Sequence, residues 1–251
     1  MRARFLPLTF LAASFSWSLA LAQTQTAVSP SAEPRHHLVL ANDQVRVFAF
    51  TLPPTEQAYV KYDHNVLVVT LEDCELVQWT EGQSDIMSYP LKEGTANFFP
   101  SGLPRGFRNN RTSACHNVVV EFLDPKIAVS YAYQPQTGWN YGPAVIAAAI
   151  DSHAKSLSEL ALGPGTVAEA QLLPGDSFAA PEKKKTAELL IALTDVDLKA
   201  QGDQHIRDQA GKVVWIPADR SSEMTNEGSR PARFIVVELP TEASEQAGPA
   251  H

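Results

Sequence analysis

Residues 94–122 read GTANFFPSGLPRGFRNNRTSACHNVVVEF, and residues 211–239 read GKVVWIPADRSSEMTNEGSRPARFIVVEL. The two stretches align without a gap at an offset of 117. Gly94 and Gly211, Pro100 and Pro217, Asn109 and Asn226, and Val119-Val120-Glu121 and Val236-Val237-Glu238 are identical, and Phe98-Phe99 faces Trp215-Ile216. Upstream, Leu71-Glu72-Asp73-Cys74-Glu75-Leu76 matches Leu193-Thr194-Asp195-Val196-Asp197-Leu198 at an offset of 122, and Leu52-Pro53-Pro54 matches Leu173-Pro174-Gly175. Matching blocks in one order indicate a unit that occurs twice along the chain. Each unit consists of short apolar, β-branched runs bounded by Pro, Gly, Asn or Asp: 45–52, 66–71 and 117–122, then 167–173, 188–193, 213–216 and 234–239. Such spacing predicts an all-β sandwich or barrel and not βαβ units.

Outside the units the chain divides as follows. Arg2 and Arg4 precede an apolar run ending Ala20-Leu21-Ala22, which reads as a secretory signal peptide over 1–22. The alternative, an uncleaved anchor helix, has a run at the lower limit for spanning and broken by Pro7. The first domain is expected over 36–125 and the second over 159–240, with a disordered tail at 241–251. The connector 126–158 carries Tyr131, Tyr133, Trp139 and Tyr141, too much aromatic surface to leave in water. Cleavage predicts an exported protein, periplasmic or extracellular, with no membrane attachment afterwards. Removing residues 1–22 takes away two Arg and no acid, so the mature chain is more acidic than the full sequence at −8. That charge argues against a nucleic-acid partner. Hydrophobic residues at 44% and charged residues at 19% exclude wholesale disorder, and two cysteines cannot build a disulfide-dense scaffold or a Cys-rich zinc site.

The blocks resemble the cupin family, and the duplication resembles its two-domain bicupins. Leu52-Pro53-Pro54 and the apolar strand 66–69 match the first cupin motif; Gly94, Phe98-Phe99-Pro100-Ser101-Gly102 and Asn109 match the second. The later copy offers Leu173-Pro174-Gly175-Asp176, Gly211, Trp215-Ile216-Pro217-Ala218 and Asn226. The resemblance implies two tandem jelly-roll β-barrels, each with an open-ended pocket, and dimerisation through sheet edges. It also implies a divalent metal held by two or three His and a Glu, and here the residues depart from it. The His-x-His positions fall among Val60, Lys61, Tyr62 and Asp63, with His64 next, and the closing His position falls on Arg105. In the second copy the corresponding stretch is Ala179-Ala180-Pro181-Glu182-Lys183-Lys184-Lys185 and the closing position is Ser222. No cofactor is therefore expected, with His64 as the alternative metal ligand.

Tyr62, Asp63, His64 and Arg105 are the candidate ligand-binding residues. Arg105 either pairs with Asp63 and fills the former metal position, or receives a ligand carboxylate or phosphate with Tyr62 and His64 assisting, or is an exposed loop residue. His64 reads equally as a half-exposed strand-end histidine, and His36, His37 and His153 read as surface residues. Lys183-Lys184-Lys185 reads as a solvated loop beside Glu182 or an anion site. In a jelly roll, the strand ending near Cys74 runs antiparallel to the strand beginning near Cys115, so the resemblance implies a Cys74–Cys115 disulfide in an oxidising compartment.

Three functions compete. The first is a non-catalytic small-ligand-binding or structural module with decayed metal sites, its ligand small and anionic or polar. The second is a metal-dependent dioxygenase or isomerase, which needs ligands such as His64, His116 or Glu121 to converge. His116 and Glu121 are five apart on one strand and so on opposite faces. The third is metal-free sugar epimerisation by a His–Asp base and a Tyr acid. No catalytic nucleophile motif occurs.

Overall fold

The computed structural model describes residues 26–82, 87–128, 144–146, 156–178, 186–200, 204–218 and 223–241. The expected signal peptide, the connector aromatics, His153 and Lys183-Lys184-Lys185 lie outside them. The first half contains β1 (His36–Ala41), β2 (Val45–Leu52), β3 (Gln57–Val60), β4 (Asn65–Thr70), β5 (Cys74–Thr80), β6 (Met87–Leu91), β7 (Ala96–Phe99), β8 (Arg105–Asn109), β9 (Cys115–Phe122) and β10 (Ala144–Ile146). The second contains β11 (Ser156–Leu162), β12 (Gly165–Leu172), β13 (Ser177–Phe178), β14 (Thr186–Ala192), β15 (Val196–Ala200), β16 (Gln204–Asp208), β17 (Val213–Ile216), β18 (Met224–Asn226) and β19 (Ala232–Pro240). Among the described residues no helix is long and apolar enough to cross a membrane.

The first barrel joins a sheet ordered β1-β2-β9-β4-β7-β10 to a sheet ordered β3-β8-β5-β6. The second joins β11-β12-β19-β14-β17 to β13-β18-β15-β16. The strand order of the larger sheets therefore recurs, β2-β9-β4-β7 in one and β12-β19-β14-β17 in the other, all antiparallel. Side chains alternate across a strand. Along β9, Cys115 and Val119 enter the core of the first barrel, whereas Val118, Val120 and Phe122 point the other way. The outward set does not meet water. It packs with Val45, Val47, Leu67 and Val69 against Val167, Leu189, Ile191, Ile235 and Val237 of the second barrel. The two large sheets thus lie face to face, and their central strands are apolar on both sides.

Contacts across this interface are reciprocal. Gly94 and Gly211 both adopt positive φ, +80° and +82°, in the left-handed region that a side chain disfavours. A Cβ on Gly94 would sit 3.2 Å from Leu193 Cδ1, and one on Gly211 would sit 3.0 Å from Leu71 Cδ1. Arg233 of the second barrel holds the contact electrostatically. Its Nη1 donates to Glu93 of the first barrel at 2.6 Å, and its Nη2 and Nε donate to Glu169 Oε1 at 2.6 and 3.1 Å. Glu169 is fully buried.

Asn109 and Asn226, identical in the sequence comparison, close the far end of each barrel in the same way. Asn109 Nδ2 donates to the carbonyls of Leu52 and Ser113 at 2.9 and 2.7 Å; Asn226 Nδ2 donates to those of Leu172 and Arg230 at 2.9 and 2.8 Å. Cys74 and Cys115 also meet at this end of the first barrel, but as free buried thiols rather than a bridge. Cys74 opens β5 in the opposite sheet instead of ending β4. Its thiol hydrogen-bonds to Cys115, which raises the pKa of Cys74 and, with a backbone hydrogen bond from Glu75, lowers that of Cys115.

Removing the interface cation strands a buried carboxylate. Arg233→Met is expected to cost about 3–5 kcal/mol in chemical denaturation, and Arg233→Met combined with Glu169→Leu to recover most of it.

Candidate functional site

The chain ahead of β1 is part of the first barrel. Val28 bridges Val60 in parallel, and a single 3-10 turn, Pro30–Ala32, turns the backbone so that Glu33 and His36 approach the barrel. His36, expected on the surface, is buried, with its ring stacked on Phe50 at 4.3 Å between centroids. His37 takes the exposed position. Glu33 Oε2 lies 2.8 Å from His36 Nδ1, and His36 Nε2 lies 3.0 Å from the Tyr62 hydroxyl. The other Glu33 oxygen accepts from Arg35 Nη1 at 2.7 Å. Burial pushes the Glu33 carboxyl up, but the hydrogen bonds from His36 and Arg35 outweigh it and leave its pKa below the ordinary value.

The ionised Glu33 carboxylate accepts a hydrogen bond from His36 Nδ1, and His36 Nε2 faces the Tyr62 hydroxyl, so the ring holds that hydroxyl in place. Burial, reinforced by the charges of Glu33 and Glu121, raises the Tyr62 pKa, with Arg105 opposing, so Tyr62 stays a neutral phenol.

Arg105 is inside the barrel and only 3% exposed, so the exposed-loop alternative is wrong. It lies opposite Thr80 in the β5–β8 register, with Nη1 3.4 Å from Thr80 Oγ1 and Cζ 4.9 Å above the Phe99 ring. Two expected partners do not join it. Asp63 is exposed, because alternation that turns Tyr62 inward turns Asp63 outward. His64 would share the parity of Tyr62, but residues 63–64 form a bend between β3 and β4, and His64 ends half-buried there. Glu121 faces inward and is fully buried, with Arg46 Nε 2.9 Å from its Oε2. His116 is on the opposite face as expected, exposed beside Thr51 and Glu72.

These residues do not fit the metal that the fold implies. Both nitrogens of the buried histidine are engaged, the buried glutamate has a guanidinium partner, and Arg105 adds a second permanent positive charge. Among the described residues no three His, Cys, Asp or Glu converge. On the second barrel a shallow cleft of about 510 Å³ is lined by Asp195, Asp197, Arg207, Asp208 and Lys212, with Arg207 Nε donating to Asp197 at 2.9 Å.

Sequence reasoning missed Glu33 and His36. The available signal was a Glu three residues before a His on a run that alternates poorly; what buries it, Phe50 and Tyr62, is distant in sequence. The lowered Glu33 pKa contributes stability that is fully present above its unfolded value and lost as pH falls through the lower folded one. Glu33→Gln should therefore lower stability at neutral pH by about 1–3 kcal/mol and flatten the acid limb of the stability–pH curve, as read by denaturation from pH 7 downward.

No protein-family model matches the sequence, and no curated protein is significantly similar to it. Solved structures do resemble it. AerE from Microcystis aeruginosa aligns with a TM-score of 0.56 at 10% identity, over 83% of this chain and 99% of its own. A salicylate 1,2-dioxygenase from Pseudaminobacter salicylatoxidans aligns with a TM-score of 0.56 at 11% identity, over 83% of this chain and 77% of its own. A cupin 2 conserved barrel domain protein from Leptotrichia buccalis gives 0.50 at 11% identity, over 81% and 88%. At such identities the likeness concerns the fold, and together with the strand order it establishes that this chain has the cupin fold, in two tandem jelly-roll barrels.

Proposed function

We propose that this is an exported two-barrel module that binds a small polar or anionic molecule inside its first barrel, without a metal and without catalysing a reaction. The observation that carries this reading is Arg105, a buried permanent cation at the position where the cupin pattern sets a metal-binding histidine. A guanidinium there repels a divalent cation and suits a carboxylate or phosphate. Tyr62, oriented by His36, supplies a hydroxyl in the same interior. Asp63 and His64, candidate binding residues from the sequence, have no part in this site, since both lie in the bend between β3 and β4.

The test is metal content and anion binding on the full chain. Protein purified without chelator should hold far less than one equivalent of any transition metal. A panel of small carboxylates and phosphates should include compounds that raise the melting temperature of the wild type and not that of Arg105→Met. Stoichiometric metal, lost in His36→Ala or His64→Ala, would establish the metal-dependent alternative.

Export brings a consequence for the thiol pair. Cys74 and Cys115 are already in hydrogen-bond contact. A thiol–disulfide oxidant of the outer compartment can take two electrons and two protons from them, breaking two S–H bonds and forming one S–S bond. The closed loop of about 40 residues would stabilise the first barrel by about 4 kcal/mol in the chain-entropy model. Non-reducing mass analysis of secreted protein should show no free thiols, and two free thiols there would refute the oxidised form.

A further inference from the structure

The first barrel buries polar atoms that its fold does not require. Thr70, Asn97 and Asn117 are 0%, 4% and 1% exposed. Thr70 Oγ1, Asn97 Oδ1, and both Asn117 Oδ1 and Nδ2 have no hydrogen-bond partner. All three point into the barrel. Asn117 alternates with Cys115 and Val119, Thr70 with Val68 and Val66, and Asn97 with Phe99, all members of the first-barrel core. Thr70 and Asn117 are direct cross-strand neighbours, and Asn97 pairs with Val68.

The second barrel is an internal control. At the matching register, Ala192 pairs with Phe234, and Val214 pairs with Leu190. Ala192 and Phe234 belong to the apolar core of that barrel, and Val214 packs against it. The same strands therefore close over Ala, Val and Phe in one copy and over Thr, Asn and Asn in the other. Buried polar atoms without partners are rare in folded proteins and each one calls for an explanation.

We infer that Thr70, Asn97 and Asn117 form a subsite for the hydroxyl groups of a polyhydroxylated carboxylic acid whose carboxylate meets Arg105. This deepens the binding role proposed above and rests on it. The unpartnered set holds two amide oxygens, one amide NH2 with two N–H donors and one hydroxyl, so its complement must both donate and accept. Hydroxyl groups meet that condition. Phe50, Phe99, Phe107 and the His36 ring, which pack on one another, supply apolar surface for a carbon chain or sugar ring once the barrel opens. Arg105 sits over Phe99; Asn97 is two residues and about 7 Å along from Phe99, and the Thr70–Asn117 pair four residues and about 13 Å, a span that a six-carbon acid with a hydrogen bond at each end covers. Because the three side chains are sealed from solvent, the barrel must open for access, and association is slower than for a preformed cleft.

The full-length protein is tested with gluconate, with sorbitol as the hydroxyl-only probe and propionate as the carboxylate-only probe. A variant borrowing the second barrel's chemistry, Thr70→Ala with Asn97→Val and Asn117→Leu, is compared with Asn117→Leu alone. Gluconate should bind the wild type at least about tenfold more tightly than either truncated probe. The variants should melt about 2–4 °C higher or more while losing gluconate affinity by about tenfold or more. Variants that melt lower would make these residues structural and overturn the subsite. Propionate binding as tightly as gluconate would overturn it too, while leaving the anion site at Arg105 standing. Binding of neither acid would overturn both.

Discussion

The outer face of the β2-β9-β4-β7 sheet must be apolar, because it packs on its counterpart from the second barrel and not on water. Everything else in the molecule is arranged around that contact. Its central strands bury both faces, so the usual alternation of apolar and polar residues disappears from them. A strand such as β9, which reads as an unbroken apolar run, has one side for the barrel interior and one for the other barrel. Gly94 and Gly211 let the loops approach, and Arg233 ties Glu93 of one barrel to Glu169 of the other.

That constraint sharpens the meaning of polar residues on these strands. Asn117 and Glu121 sit among valines on a strand buried from both sides, where an apolar side chain would be cheaper by any transfer scale. Their direction is inward, toward Phe50, Phe99, Tyr62 and Arg105. The second barrel retains Glu238 at the Glu121 position but carries Phe234 and Val214 in place of Asn117 and Asn97. One barrel is thus packed for stability at this level, and the other accepts unsatisfied polar groups, a pattern familiar where binding and stability compete.

The fold was legible because its signals are local. The Asn109 and Asn226 turns, the left-handed glycines and the β-branched runs each act within a few residues, and β2, β4, β9, β12, β14, β17 and β19 fall where those runs predict. The site was less so. Motif position made Tyr62 and Arg105 candidates for the interior, with an exposed loop as the alternative for Arg105, but a bend after β3 moves His64 off the strand parity and leaves Asp63 in solvent. His36 looked like an exposed histidine because the groups that bury it come from β2 and from the segment after β3, and because its own strand is an edge that alternates poorly. The Glu33–His36–Tyr62 chain is assembled by tertiary contact, which spacing along one sequence does not encode.

The proposed ligand binds in the first barrel and not in the second. The most direct measurement is an amide NMR spectrum of the full-length protein titrated with gluconate in the presence of chelator. Shifts confined to β2, β4, β7, β8 and β9, with β12, β14, β17, β18 and β19 unmoved, are the predicted result. Shifts centred on the second barrel, or shifts that appear only after a divalent transition metal replaces the chelator, would contradict it.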